Sequence, residues 1–150
     1  MPTIEHIYAA VVREGVRRGH FVVPEFCATP SSRLFQKNID VAWLEPRDEP
    51  DRIGSLRRWR IVAAFEIEGY DVPIERIQTH SAQFEHLQAD EGTRFPCIVP
   101  LYTQAHHRAN PTWGNAAPQT RIAERQAAAK AAGGMVKVCD GRELDWLLDL

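Results

Sequence analysis

Three carboxylates carry the pattern in this chain that could do chemistry. Asp40 lies in Lys37-Asn38-Ile39-Asp40-Val41-Ala42-Trp43, and Glu66 and Glu68 end the run Trp59-Arg60-Ile61-Val62-Ala63-Ala64-Phe65-Glu66-Ile67-Glu68. Successive side chains of a strand point to opposite faces, so the spacing turns Glu66 and Glu68 to one face and Ile61, Ala63, Phe65 and Ile67 to the other. A carboxylate pair at the end of an apolar strand costs desolvation energy unless something cationic binds it. The partner is a buried arginine, a surface lysine or a divalent metal. If the strands of Asp40 and Glu66 pair, three carboxylates converge at one edge of a sheet. Hard oxygen donors gathered in this way suit Mg²⁺ or Mn²⁺, not zinc. Such an ion polarises a phosphoryl oxygen and activates a water for in-line attack. The competing reading leaves the acids on an exposed strand end, paired with Arg57, Arg58 or Arg60.

The elements that must position these residues follow from periodicity. Ile4, Ile7, Tyr8, Val11 and Val12 recur at helical spacing behind a Thr3 cap, and the pattern predicts a helix over 4–18 that Gly19 stops. His20 to Cys27 reads as a first strand, with Pro24 marking an edge or a bulge. Leu34 to Leu44 reads as a second strand, with Ile39, Val41 and Trp43 on one face and Asn38, Asp40 and Ala42 on the other. Trp59 to Glu68 is the third. Pro73 suits a first helical position, and a helix to about Gln88 buries Ile74, Ile77, Phe84 and Leu87. Phe95 to Tyr102 is apolar on both faces, as a central parallel strand is. An alanine-rich helix over 119–132, a short strand over 135–139 and a last helix follow. Asp140 and Glu143 have capping-box spacing ahead of that last helix. The order α-β-β-β-α-β-α-β-α predicts an α/β fold, a mixed central sheet flanked by helices, with an antiparallel meander first and parallel strands later.

Bulk properties bound the rest. The chain has 150 residues, 44% hydrophobic and 25% charged, which suits one soluble domain over 1–150. No apolar run approaches the ~20 residues of a membrane span. The first residues lack a basic stretch followed by an apolar one, so the expected location is cytoplasmic, with no membrane partner. The net charge of −2 announces no nucleic-acid surface, so any such surface is a local patch. The candidates are Arg13, Arg17 and Arg18, or Arg57, Arg58 and Arg60. Cys27, Cys97 and Cys139 are too widely spaced for a zinc motif or a disulfide framework and read as small buried hydrophobes. His106, His107 and Arg108, in the aperiodic stretch over 104–117, form a poor metal pair but could touch a substrate phosphate.

The order helix, strand, strand bearing Asp, strand bearing an acid-x-Lys pair, helix, strand resembles the PD-(D/E)xK, restriction-endonuclease-like nuclease superfamily. The matching pieces are Asn38-Ile39-Asp40-Val41-Ala42-Trp43 and Ala63-Ala64-Phe65-Glu66-Ile67-Glu68, and the likeness covers roughly residues 4–102. It implies a restriction-endonuclease-like αβββαβ core with a C-terminal αβα extension. It also implies that Asp40 and Glu66 bind Mg²⁺ or Mn²⁺, joined by Glu5 of the first helix in preference to Glu14. DNA is then the expected partner, and the chain a homodimer or a component of a larger system. Two departures stand out. Asn38-Ile39 replaces the motif's proline position, and Glu68 stands where the family has its lysine, although some members carry Glu there. Glu68 would be a further ligand or would orient the water, and a replacement for the lysine would come from the following helix, at Gln78 or His80. The resemblance thus implies a metal-dependent DNA nuclease. The alternative is a nuclease fold that has lost catalysis and binds nucleic acid or a protein.

Overall fold

Helix α1 (Ile4–Arg17) places Ile7 and Val11 against the sheet and ends at Gly19, whose φ of 82° lies where a side chain is unfavourable. The architecture is taken from a computed structural model, which describes residues 4–28, 37–46, 59–102 and 118–150. Strands β1 (Phe21–Ala28), β2 (Lys37–Pro46) and β3 (Trp59–Phe65) form the expected antiparallel meander. A two-residue strand, β4 (Glu68–Gly69), follows. Helix α2 (Ile74–Glu91) then crosses over to β5 (Cys97–Tyr102), which runs parallel to β3. Helix α3 (Pro118–Ala131) leads to β6 (Lys137–Asp140), parallel to β5 on its other side, and the four-residue α4 (Asp145–Leu148) closes the described chain. The result is a mixed six-stranded sheet flanked by helices, as the element order predicted.

The core divides by face. Val41, Trp43, Ala63, Phe65 and Ile67 pack with Ile7 and Val11 of α1 and Leu147 of α4. Ala42, Leu44, Ile61 and Ala64 pack with Ile77, Phe84 and Leu87 of α2 and Ile122 of α3. Ile61 therefore lies on the face opposite to the expected one. Trp43 pairs with Ala63 but Leu44 pairs with Ile61, so Val62 is an extra residue in β3, a bulge that inverts the alternation behind it. Ile39 also joins the α2 side, apart from Val41 and Trp43. At that level the residue across from Asp40 is Glu25, whose φ of 49° takes β1 out of extended geometry.

Other boundaries shift as well. The second strand is described from Lys37 and runs on to Pro46, and the third breaks after Phe65. Pro73 is the residue before α2 rather than its first. The capping box at Asp140 and Glu143 does not form. The Asp140 carboxylate is taken by Arg142, and Leu144 precedes α4 without a side-chain cap. Cys97 and Cys139 are buried, and burial pushes the Cys139 thiol up to about 11, so it stays protonated as a small hydrophobe. Among the described residues no helix is long and apolar enough to cross a membrane.

Candidate functional site

The site begins where β2 and β3 stop exchanging backbone hydrogen bonds. Their last pair is Val41 with Phe65. Beyond it the Ile67 N–H donates to Oδ2 of Asp40 at 2.9 Å, so a side-chain carboxylate serves as the acceptor for the third strand. Along the other edge the line is unbroken. Glu66 N donates to the Ile98 carbonyl, and β4 continues the register of β3 along β5 without a shift. This explains why the third strand stops and restarts over Glu66 and Ile67: it keeps its parallel neighbour while Asp40 takes over from its antiparallel one. From α1, the Tyr8 hydroxyl donates to the Asp40 carbonyl at 2.6 Å and fixes the backbone that aims the carboxylate.

Glu66 is 5% exposed and lines a pocket of about 490 Å³ together with Asn38, Arg76, Thr79, His80 and Gln83. Glu68 follows two residues on. Its Oε1 accepts a hydrogen bond from Arg76 Nε at 2.6 Å, and His80 Nε2 lies 3.0 Å from the same oxygen. Burial pushes the Glu68 carboxyl up, but the bonds to His80 and Arg76 outweigh it and hold the group below its usual range. Of the partners considered for the acidic pair, Glu68 has taken an arginine, one that lies on α2 and is partly exposed.

The remaining acids contribute to a common negative field. Burial raises the Tyr8 hydroxyl, and the charges of Glu25, Asp40 and Glu66 raise it further. Burial raises Tyr102, with added contributions from Glu68, Asp71, Glu5 and Asp40. Glu5 thus lies on α1 within reach of the site's field, although its side chain is exposed. Glu14, the other acid of α1, is held down to about 2 by hydrogen bonds from Arg17 and Arg18 and is committed to them. Among the described residues no group of three or more His, Cys, Asp and Glu forms a metal-holding set.

The structure separates the other candidates. His80 stands at the site, 4% exposed, whereas Gln78 is exposed and absent from the pocket lining, two residues out of phase on the helix. Arg60 pairs with Glu45 at the opposite end of β3, where their backbones are in register, so it belongs to the strand edge and not to the site. Arg57, Arg58, His106, His107 and Arg108 lie outside the described residues.

Two residues escaped the sequence reading. Arg76 is the cation that Glu68 meets. Its signal was the spacing of four that puts Arg76 and His80 on one side of α2, at the flank of the stripe that carries Phe84 and Ile77. Arg125 is buried on α3 and donates from Nε to the Val72 carbonyl at 2.9 Å, which pins the turn between Glu68 and α2. No local pattern marks it.

No family model and no solved structure matches this chain. Over 72 residues, 47% of its length, the chain is 35% identical to the bifunctional glutamine synthetase adenylyltransferase/adenylyl-removing enzyme of Neisseria meningitidis serogroup A / serotype 4A. The match spans 8% of that protein, so the likeness is one of a segment and not of the whole enzyme.

Proposed function

We propose that this protein is a metal-dependent nuclease of the PD-(D/E)xK kind that hydrolyses DNA phosphodiester bonds, with Asp40 and Glu66 as its metal-holding pair. The observation that carries the reading is the bond from Ile67 N to Asp40 Oδ2, which brings the acid of β2 alongside the strand end that bears Glu66. The element order supports it too: α1, β1, β2, β3, α2 and β5 follow the αβββαβ order once β4 is counted as the end of β3. Two carboxylates are enough for Mg²⁺, which keeps several waters and takes the remaining contacts from substrate phosphate. When bound, such an ion polarises a phosphoryl oxygen and lowers the pKa of a water. In this reading Asp40 and Glu66 hold the ion, while Tyr8 and the Ile67 N–H orient Asp40. Glu68 is not a third ligand. Its negative charge is offset by Arg76 and His80, and it anchors a cation of the following helix where the family has a lysine.

Plasmid nicking with Mg²⁺ or Mn²⁺ tests the reading. Wild type is expected to nick, and Asp40→Ala and Glu66→Ala to lose more than about tenfold to a hundredfold in rate, which is what changing even a supporting partner of a metal ligand costs. Equal cleavage by all three proteins excludes the site. The second reading, a nuclease fold without catalysis, is favoured by the neutralised Glu68. It predicts no nicking and no rise in melting temperature with Mn²⁺, whereas a bound ion raises that temperature by mass action.

A further inference from the structure

Arg76 uses its guanidinium in an unusual way. Its Nε donates to Glu68 Oε1, yet among the described residues Nη1 and Nη2 make no hydrogen bond, and the side chain is 59% exposed. The group lines the pocket in front of Glu66. Tethering through Nε fixes the plane of the guanidinium, so the rotamer entropy of a long side chain is lost in folding and not on binding. What remains is a rigid fork of N–H donors on the wall of a pocket whose volume suits a small ligand. Planar forks of this kind match two oxygens of a tetrahedral phosphate.

We propose that this pocket is a phosphate-recognition site, in which the terminal nitrogens of Arg76 bind two non-bridging oxygens of a phosphate ester and hold it beside Glu66. The proposal deepens the nuclease reading and rests on it for the natural ligand, since it names the group that would seat a phosphate next to the Asp40 and Glu66 pair. The chemistry is shared by a terminal phosphomonoester and an internal phosphodiester. Glu68 acts as the positioning residue for the fork. Glu66 and Glu75, which share the lining with Arg76, and Asp40 nearby disfavour a free anion at their own oxygens, which leaves the terminal nitrogens of Arg76 as the place for the phosphate.

Calorimetric titration in EDTA at low salt, with three small probes, tests this directly. The probes are the dinucleotide TpT for a phosphodiester, dAMP for a phosphomonoester, and thymidine for the nucleoside without phosphate. Wild type is expected to bind TpT, dAMP or both at millimolar concentration, and thymidine at least tenfold more weakly. The stronger of TpT and dAMP identifies the source. Arg76→Ala should weaken phosphate binding by about tenfold or more, the usual consequence of losing charge-assisted bonds. Arg76→Lys should fall between, because a point charge keeps the attraction and loses the fork. Gln78→Ala, exposed on another side of α2, should bind as wild type does. No phosphate binding by wild type, or equal binding by wild type and Arg76→Ala, overturns the proposal. Because EDTA removes the ion, these results do not depend on the nicking assay, and nicking that ignores Asp40→Ala would sink the nuclease reading while leaving a phosphate site in place.

Discussion

Two acids at strand termini, Glu68 at the start of β4 and Asp140 at the end of β6, each meet an arginine from the segment that follows, and the two pairs are built in opposite ways. Asp140 is closed. Its Oδ1 accepts from the Arg142 backbone N and from Nε, each at 3.0 Å, and its Oδ2 accepts from Nε at 3.1 Å and Nη2 at 2.6 Å. Both carboxylate oxygens and two of the guanidinium nitrogens are consumed between residues two apart. Glu68 is open. One of its oxygens receives both Arg76 and His80, from a helix that begins six residues later, and Arg76 commits a single nitrogen. A closed pair contributes a little stability and leaves few donors for a ligand. An open pair uses one charge to aim another, which is what a binding site requires.

The largest effect should come from unmaking the closed region. Gly141 follows Asp140 and donates its N–H to the Leu101 carbonyl at 2.8 Å. A Cβ there would stand 2.5 Å from that carbonyl oxygen and 2.4 Å from Cδ1 of Ile7. The isoleucine can rotate, but the carbonyl belongs to β5 and cannot move without breaking the sheet. Gly141→Ala is expected to cost about 2–4 kcal/mol, in the range of overpacking and backbone conflict, read as a lower urea midpoint. A midpoint within experimental error of wild type would show that the β6–α4 turn can shift freely. Binding of TpT, measured at a temperature where the variant is folded, should be unchanged, because the open pair lies on another element.

That division between local and non-local construction also explains what the sequence disclosed. The meander, the crossover helix and the parallel strands were legible because Ile7 and Val11, Ile77 and Phe84, and the apolar run over 97–102 carry their periodicity locally. Asp40 and Glu66 were legible as candidates, because Asp in mid-strand and an acid after an apolar strand conflict with their surroundings. The bulge at Val62 was not, since nothing in Arg60-Ile61-Val62-Ala63 marks which residue is extra. Nor was Arg125, whose bond to Val72 joins segments far apart in sequence. Arg76 lay between these cases. Its spacing from His80 was visible, but its distance from Glu68 was fixed only by the turn over 69–73. The lysine position of the PD-(D/E)xK pattern points to Gln78 and His80, whereas the arginine that meets Glu68 stands at the start of the same helix.

A medium effect is expected from the charge of Glu68. Its carboxyl is depressed in the folded protein, so the stability it contributes is complete above the ordinary glutamate value of 4.5 and is lost as pH falls through the lower folded value. Glu68→Gln keeps the shape and removes the titration. The melting temperature of wild type should exceed that of the variant from pH 6 to 8, by the equivalent of about 1 kcal/mol after allowing for the exposure of Arg76. Below 4.5 the gap should close. A gap that stays constant with pH would mean that the bonds to Arg76 and His80 contribute nothing as a charged set. The same variant keeps an amide oxygen for Arg76 but holds it less firmly, so phosphate binding should weaken only a few-fold.

The smallest effect is expected at Arg142, and its smallness is what sharpens the comparison. Both members of the Asp140 pair are 27% exposed in their side chains, and their separation of two residues means that the contact survives in part in an unfolded chain. Arg142→Ala should therefore cost at most about 0.5–1 kcal/mol, despite removing three of the four hydrogen bonds on Asp140. The Asp140 carboxyl, held low by the Arg142 side chain first and by its backbone N–H second, should rise toward its ordinary value without reaching it, since the backbone bond remains. NMR titration of the Asp140 side chain reads this directly. TpT binding should be the same as wild type, in contrast to Arg76→Ala. If Arg142→Ala weakened phosphate binding as much as Arg76→Ala does, a general positive field would be responsible and the open fork would have no special role. If only Arg76→Ala weakens it, the distinction lies in which nitrogens each pair leaves unused, and not in the number of bonds each pair makes.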